Sequence, residues 1–391
     1  MKIESKTVHW GDRKRTGGFV PVTTPIYTAA SYAYDSMEQL DRIFDLQEAG
    51  PSYARYDNPT RNALEEVMRE LESGAGAIAC ASGMIAIHTA LLGALLDRPK
   101  RVLAANMMYG ATTSMLMKIF DPLGIETTQV DPCDLDAFEE ALNESKPGVV
   151  IVETIANPLL RVPALDKIAE LCRRADVPLI VDNTFATPLL VRPLELGANI
   201  VCHSVTKYLA GHGDVLGGVI VADQANFDTI RTLSRTIGPV LGPFESYLTM
   251  RGIKTLALRY ERQCANAIQV AAWLAKHPSI ARVYFPGDPS HPDAKTIARL
   301  FPKDRFSGLV AFEIKNADRA KIFQFMERLK MVVRATSLGD VHTMILYPAM
   351  ASHRDLSPKH RERLGIHENL VRMSIGIEAV EDIIADLDQA F

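Results

Sequence analysis

Short apolar runs alternate with longer stretches of helical period through the first part of the chain. A run of four to eight apolar residues without polar alternation is typical of a strand buried on both faces, and strands separated by helices favour a parallel sheet. The runs of this kind are residues 77–81, 101–105, 125–130, 149–153, 179–182, 199–203 and 218–221. The chain is therefore predicted to be an α/β protein with a mainly parallel sheet covered by helices on both faces.

Breaks in this pattern divide the chain. The first 57 residues show no sustained period and are predicted to be an irregular arm, and Asn58 followed by Pro59 is a favourable start for a helix. After Gly252, a long helical stretch leads into a proline-rich passage. A second, smaller α/β unit follows, with strands predicted at 308–314 and 369–375. The predicted parts are an N-terminal arm (1–57), a large domain (58–252) and a C-terminal domain (253–391).

Composition excludes several classes of protein. A hydrophobic content of 47% with 23% charged residues is ordinary for a globular chain, which excludes disordered and fibrous classes. The net charge of -4 provides no broad basic surface, so neither nucleic acid nor a membrane surface is expected as a partner. The polar start of the chain is unlike a signal peptide, and the scattered cysteines form no C-x-x-C pair. We expect a cytoplasmic protein with reduced cysteines and no metal.

Polar residues follow several of the predicted strands directly. Ser82 comes after the first run, Asn157 follows the run at 149–153, Asp182 ends the next run, and Lys207 lies just beyond the run at 199–203. In doubly wound sheets, ligands bind outside the carboxyl ends of the strands. These side chains are therefore predicted to meet in one crevice.

Lysine and aspartate at such positions indicate a particular chemistry. A partly desolvated Lys207 would provide a neutral amine that attacks an aldehyde, whereas a lone lysine is more often a solvated loop residue. Asp182 could keep a pyridine nitrogen protonated, whereas alone it is better explained as the cap of a turn through Asn183 and Thr184. The two residues together favour the first interpretation.

A phosphate site is predicted at the start of the helix that follows the first run. Ser82, Gly83 and Met84 would offer backbone N–H groups there, with hydroxyl groups from Ser204 and Thr206. Simple N-capping explains Ser82 equally well. The chain contains neither G-x-G-x-x-G nor G-x-x-x-x-G-K-[ST], which argues against a nicotinamide dehydrogenase or a P-loop enzyme.

Segments along the whole chain carry a family resemblance. They are YARYDNPT (53–60), ASGM (81–84), YG (109–110), ETIANP (153–158), DNTF (182–185), SVTKY (204–208), GHGD (211–214), MRGIKTL (250–256), SLG (337–339) and VRMSIG (371–376). In these segments the chain resembles the Cys/Met-metabolism family of fold-type I enzymes that use pyridoxal 5'-phosphate (PLP). The resemblance implies a mainly parallel seven-stranded sheet flanked by helices, with a smaller C-terminal α/β domain.

The resemblance also implies roles for individual residues in holding the cofactor. Lys207 would form a covalent aldimine with PLP and shuttle protons, Asp182 would pair with the pyridine nitrogen, and Tyr109 would stack on the ring near the leaving group. The residues implied for the phosphate are Ser82, Gly83, Met84, Ser204 and Thr206. Tyr53 and Arg55 of the arm would reach the phosphate site of a neighbouring subunit, which implies a homotetramer built from dimers with shared active sites.

For the substrate, the resemblance implies that Asn157 contacts the ring oxygen and that Arg372, with Ser337, binds the carboxylate. Without the resemblance, Arg372 would be taken for a cross-strand surface residue and Tyr109 for a loop aromatic.

The implied reaction is γ-elimination from a sulfur amino acid, which yields a 2-oxo acid, ammonia and a thiol. Methionine γ-lyases usually carry cysteine where this chain has Ala111, and many members carry glutamate where it has His342. We therefore expect a γ-lyase first, a γ-replacement enzyme (cystathionine γ-synthase or O-acetylhomoserine sulfhydrylase type) second and a β-lyase third; a non-catalytic PLP-binding relative is the alternative from another class.

Overall fold

A central sheet of seven strands organises the first part of the chain. The computed structural model describes residues 1–15, 18–45, 47–354 and 356–391. The strands are β1 (Gly76–Cys80), β2 (Arg101–Ala105), β3 (Glu126–Val130), β4 (Val149–Glu153), β5 (Leu179–Asp182), β6 (Ile200–Ser204) and β7 (Gly218–Ala222). Their order across the sheet is β1-β7-β6-β5-β4-β2-β3, and only β7 runs antiparallel to its neighbours. The predicted mainly parallel seven-stranded sheet is confirmed.

Helices cover both faces of this sheet because its central strands are apolar on both sides. Strand β4 is buried at every position, and α3 and α4 pack their apolar faces against the same core. The helices up to the second sheet are α1 (Ile3–His9), α2 (Met37–Phe44), α3 (Pro59–Glu72), α4 (Gly83–Leu95), α5 (Gly110–Met115), α6 (Leu135–Ser145), α7 (Leu165–Arg174), α8 (Thr187–Leu190), α9 (Gln224–Ile237), α10 (Pro243–Ile253) and α11 (Leu256–Leu274). In the described ranges, no helix is long and apolar enough to cross a bilayer.

A second sheet of five strands follows α11. Its strands are β8 (Ile280–Tyr284), β9 (Leu309–Ile314), β10 (Val333–Arg334), β11 (Met344–Leu346) and β12 (Leu370–Ser374), in the order β10-β11-β12-β9-β8. The remaining helices are α12 (Ala294–Leu300), α13 (Arg319–Arg328), α14 (Pro358–Arg363) and α15 (Val380–Asp388). The sequence predicted β9 and β12 within one residue at each end and missed the other three strands.

The expectation that residues 1–57 are irregular throughout is wrong for two segments. Ile3 of helix α1 packs against the main core, and α2 is capped by Ser36, whose Oγ accepts a hydrogen bond from Gln39 N at 3.3 Å. Ser36 is therefore an N-cap, but the helix that it starts was missed because the sequence there shows no long apolar period. The predicted division into 1–57, 58–252 and 253–391 stays a prediction.

Helix α11 takes part in both hydrophobic cores. Near its start, Tyr260 and Cys264 are buried in the core of the seven-stranded sheet. Further along, Val270 and Leu274 are buried in the core of the five-stranded sheet. One rigid helix of 19 residues therefore fixes the two sheets relative to each other.

We predict that Asp386, in helix α15, stabilises the folded protein. Its carboxylate accepts hydrogen bonds from the backbone N–H groups of Lys330, Met331 and Val332 at 2.9, 2.8 and 2.8 Å. Asp386→Ala leaves these donors without their acceptor, so the free energy of unfolding should fall by about 2–4 kcal/mol in urea titrations. Asp388→Ala is the control because that side chain is 66% exposed, and it should change stability by less than about 0.5 kcal/mol.

The same residue predicts a pH dependence. Burial raises the pKa of Asp386, but the backbone N–H groups outweigh burial and hold its pKa below the usual value. A lowered pKa in the folded state means that the stabilisation is present above the unfolded pKa and is lost as the pH falls through the folded pKa. The stability difference between wild type and Asp386→Ala should therefore shrink in acid; a difference that grows there would contradict this.

Candidate active site

A cavity of about 380 Å³ lies between the carboxyl ends of the central strands and the second sheet. Its size is within the range of cofactor sites. Most of the predicted site residues line it, namely Ser82, Gly83, Met84, Tyr109, Asn157, Asp182, Ser204, Thr206, Lys207 and Arg372. The crevice predicted from the strand ends is thus one cavity, and Arg372 lines it from β12.

Strand register brings two carboxylates together at this cavity. Strands β4 and β5 are parallel, and their final residues, Glu153 and Asp182, are direct neighbours in the sheet. On the other side of β5, Asp182 faces Cys202 of β6, and the chain then leaves β6 at Ser204 and turns back at Lys207. The parallel arrangement therefore places an amine and two acids at the same edge.

Lys207 is an amine held away from water. Its Nζ donates a hydrogen bond to Ser337 Oγ at 2.9 Å. Burial, reinforced by the positive charge of Arg372, lowers the pKa of Lys207 to about 8. A substantial fraction of this amine is therefore neutral near physiological pH, as a nucleophile toward an aldehyde requires.

Asp182 is held in place by the turn that follows it. Thr184 donates to Asp182 Oδ1 from its backbone N at 3.0 Å and from its Oγ1 at 2.5 Å. The turn-capping interpretation of Asp182 is therefore correct, and the same carboxylate still lines the cavity. Burial raises the pKa of Asp182, whereas the Thr184 hydrogen bonds and the nearby His203 oppose that rise.

The start of α4 forms a narrow cradle at the cavity. A Cβ on Gly83 would lie 2.8 Å from the Cβ of Ser204, so only glycine lets these two segments approach so closely. Ser82 is also the N-cap of α4, since its Oγ accepts from Ile85 N at 3.2 Å. The first backbone N–H groups of a helix have no partner within the helix, so this end suits a phosphate.

The hydroxyl group of Thr206 donates to the backbone, whereas the sequence predicted that it would donate to a phosphate. Its Oγ1 donates to Gly217 O at 3.2 Å and accepts from Gly217 N at 3.0 Å, which fixes its rotamer. The hydroxyl proton is therefore directed at the backbone, and the oxygen is available only as an acceptor unless the rotamer changes.

Arg372 is a buried cation with an unused donor. It is 3% exposed, and its Nη1 donates to Asn157 Oδ1 at 2.7 Å while Nη2 donates to Ser337 O at 3.4 Å. Burial lowers the pKa of Arg372 to about 10. Its buried Nε has no hydrogen-bond partner within the described ranges. Because Arg372 also lines the cavity, its guanidinium suits a carboxylate ligand.

Tyr53 and Arg55 do not belong to this cavity. Tyr53 is 45% exposed, and Arg55 lies over the ring of Tyr56 at 4.5 Å and contacts Arg235 O. Both residues are on the arm and lie outside the site of their own chain.

Some residues at the cavity were not predicted as site residues. Glu153 and Thr184 line it directly, and so does Ser352, which lies in the turns between β11 and α14. Glu153 was predicted to end a strand and Thr184 to lie in a turn, and both occur in the family segments, but neither was given a role in the site. Their position beside Asp182 was the available signal, because neighbouring parallel strands end at the same edge.

These groups fit PLP. The cavity offers an amine for the aldehyde, an acid for the pyridine nitrogen and a helix start for the phosphate, and its glycine cradle is too narrow for another side chain. Fold and donor set together define a PLP-dependent enzyme of fold type I. The chain belongs to the family of Cys/Met metabolism PLP-dependent enzymes, whose model matches residues 4–391.

Individual relatives cover almost the whole chain. An L-methionine gamma-lyase from Fusobacterium nucleatum subsp. polymorphum is 42% identical over 390 residues, which are 99% of this chain and 97% of the relative. The crystal structure of a cystathionine gamma-lyase from Lactobacillus plantarum, complexed with L-serine, is 34% identical with a TM-score of 0.92, covering 100% of this chain and 98% of that one. A Campylobacter jejuni structure containing N'-pyridoxyl-lysine-5'-monophosphate is 30% identical with a TM-score of 0.93, covering 100% and 99%.

We predict that the reactivity of Lys207 in the cofactor-free protein rises through a midpoint near pH 8, because only the neutral amine reacts. Competitive acetylation followed by peptide mass spectrometry measures this midpoint. Arg372→Leu removes a neighbouring positive charge and should move the midpoint to higher pH, whereas Arg372→Lys keeps the charge and should leave it near the wild-type value. A wild-type midpoint near the ordinary lysine value of about 10.4 would contradict the burial argument.

Proposed function

We propose that the protein is a carbon–sulfur lyase that uses PLP to perform γ-elimination on a sulfur amino acid, releasing a 2-oxo acid, ammonia and a thiol. The observation that carries the proposal is the meeting of Lys207 and Arg372 in one cavity, where both contact Ser337. An amine and a guanidinium that line one cavity can act on the α-carbon and the carboxylate of one small amino acid. The names of the relatives with γ-lyase activity support this reaction.

Cofactor binding is assigned to residues of the first sheet. When bound, PLP supplies an aldehyde that takes up an amine and a ring that accepts an electron pair. Asp182 would accept a hydrogen bond from the N–H of the pyridine ring, Tyr109 would lie against the ring, and Lys207 would hold the aldehyde. Ser82, Gly83, Met84 and Ser204 would surround the phosphate. Thr206 would donate to the phosphate after its hydroxyl proton turned away from Gly217 O.

Substrate binding is assigned to the second sheet. Arg372 binds the substrate carboxylate in a charge-assisted pair, helped by Ser337, and Asn157 keeps the guanidinium oriented through its 2.7 Å hydrogen bond while its amide reaches the ring oxygen. The amine of Lys207 would act as the base that takes the Cα proton and later returns protons. Tyr109 lines the same cavity and is assigned to the side from which the thiol leaves.

His342 narrows the choice of substrate. Its side chain hydrogen-bonds to Asp340 Oδ1 at 3.0 Å and is 65% exposed, and the cavity lining within the described ranges does not include it. The carboxylate that many members have at this position is missing, so a distal amino group has no partner from His342. This favours a substrate with an uncharged γ-substituent, such as methionine, over cystathionine.

The assembly is also part of the proposal. We infer a homotetramer built from dimers in the cytoplasm, in which Tyr53 and Arg55 of each arm complete the phosphate site of a neighbouring subunit. Their position outside their own cavity supports this assignment.

A substrate panel tests the reaction. The panel contains methionine, homocysteine, cystathionine, cysteine and O-acylhomoserines, each with and without a thiol. Among these compounds, methionine or homocysteine should give 2-oxobutanoate most rapidly. Lys207→Ala should lower turnover by about 1000-fold or more, because it removes both the covalent anchor and the base. Lys276→Ala, at an exposed lysine, is the control and should be unchanged. Formation of a new thioether in place of the 2-oxo acid would assign γ-replacement, and an unchanged cofactor absorbance on addition of any amino acid would identify a non-catalytic relative.

Mixing two inactive variants tests the shared site. Arg55→Ala removes the contribution of the arm, and Lys207→Ala removes the amine. In mixed dimers, one of the two sites has both wild-type residues, so mixing after dissociation should restore about a quarter of the wild-type activity. Absence of recovery, with mixed dimers shown by mass spectrometry, would place both residues in the same site.

A further inference from the structure

Glu153 is a buried acid at the cavity to which the proposed reaction gives no role. It ends β4, is 8% exposed and lines the same cavity as Lys207 and Arg372. Burying a carboxylate costs free energy unless its oxygens are satisfied, so its presence there needs a physical reason.

The carboxyl group of Glu153 connects two loops. Its Oε1 accepts from Tyr109 N at 2.7 Å, in the loop after β2, and its Oε2 accepts from Asn157 N at 3.3 Å, in the loop after β4. Tyr109 is assigned to the cofactor ring, and Asn157 orients Arg372. One side chain therefore fixes the backbone of both residues.

The charges around Glu153 come from several elements. Asp182 of β5 is its register neighbour, Arg372 approaches from β12, and Lys207 and Tyr109 line the same cavity. From the turns after β11, His353 hydrogen-bonds to the Asn157 backbone, and burial lowers the pKa of His353 to about 4, so that its ring is neutral. Burial and the charge of Asp182 raise the pKa of Glu153, although its two N–H contacts and Arg372 oppose the rise.

Two adjacent buried carboxylates share one negative charge near neutral pH, because placing a second charge beside the first is unfavourable. Each acid accepts two hydrogen bonds from the protein, and a protonated pyridine nitrogen would donate a further one to Asp182, which makes Asp182 the better place for the charge. A protonated Glu153 can keep both contacts, because its carbonyl oxygen can accept from Tyr109 N and its hydroxyl oxygen from Asn157 N.

We propose that Glu153 is a positioning residue that keeps its proton near neutral pH, holding Tyr109 and Asn157 in place while leaving Asp182 as the ionised acid of the pair. This inference rests on the proposed function, because it assigns the cofactor ring to Asp182 and the substrate carboxylate to Arg372. When Glu153 ionises at higher pH, a second negative charge enters the cavity beside Arg372. Binding of a carboxylate ligand then weakens.

The test measures ligand binding to the PLP-loaded protein. The ligand is 4-(methylthio)butanoate, which keeps the carboxylate and thioether of methionine but has no amine that titrates. Its dissociation constant, followed by the absorbance of the bound cofactor, is determined between pH 6.5 and 9.5. The proteins are wild type, Glu153→Gln, Glu153→Ala and the control Glu65→Gln. Glu65 is a partly buried acid, with its side chain 21% exposed, that also accepts a backbone hydrogen bond, from Ala79 N at 2.9 Å, but it lies outside this cavity.

The variants distinguish the effect of the charge of Glu153 from its role in positioning Tyr109 and Asn157. In wild type and Glu65→Gln, the dissociation constant should rise about tenfold or more across this pH range. Glu153→Gln removes the charge and keeps a carbonyl oxygen for Tyr109 N, but its amide nitrogen cannot accept from Asn157 N. Its dissociation constant should therefore lie within about threefold of wild type at pH 6.5 and change by less than about twofold up to pH 9.5. Glu153→Ala should bind more weakly at every pH, because Tyr109 and Asn157 lose their acceptor.

Two results overturn the proposal. If Glu153→Gln keeps the wild-type pH dependence, the titrating group is not Glu153. If the Gln and Ala variants are equally impaired at pH 6.5, the ionised form is the functional one. A wild-type protein that binds PLP and the ligand but forms no 2-oxo acid would instead refute the proposed elimination, and the binding curves would still decide the role of Glu153.

Discussion

Charged groups buried between two sheets are the constraint on which the active site depends. Burial lowers the pKa of both Lys207 and Arg372 and raises the pKa of both Asp182 and Glu153, so every shift favours the neutral form. A buried ion persists only when hydrogen bonds and opposite charges offset its desolvation. The contacts from Thr184, Asn157 and Ser337 meet this requirement, and they leave the Lys207 amine able to change protonation state.

The main sheet could be predicted from the sequence because its strands are buried on both faces. The run at 149–153 is apolar until its last residue, which is why its limits agree with β4. The strands that escaped prediction lack that signal. Strand β8 is partly exposed, and β10 and β11 have two and three residues, too short for any period to be recognised.

The site residues that could be predicted from the sequence are likewise those that follow strands buried on both faces. Asp182 and Lys207 follow apolar runs, so the strand-end rule located them without any relative. Arg372 lies in the middle of β12 between Val371 and Met373, where no such rule applies, and only the family resemblance indicated it. Glu153 was overlooked because the register between β4 and β5 is a tertiary property. The assigned partners of Tyr53 and Arg55 lie on another chain, which the pattern of a single sequence does not describe.

Helix α11 has a consequence for how the enzyme selects its ligands. Because Tyr260 is packed into one core and Val270 into the other, a hinge motion that separated Arg372 from Lys207 would expose apolar surface at one end of the helix. Arg372 and Lys207 are thus held at a fixed separation. Every α-amino acid carries its amine and its carboxylate on one carbon, so this separation favours α-amino acids as a class over β- and γ-amino acids. The choice among side chains is left to the wall of the cavity that includes Tyr109.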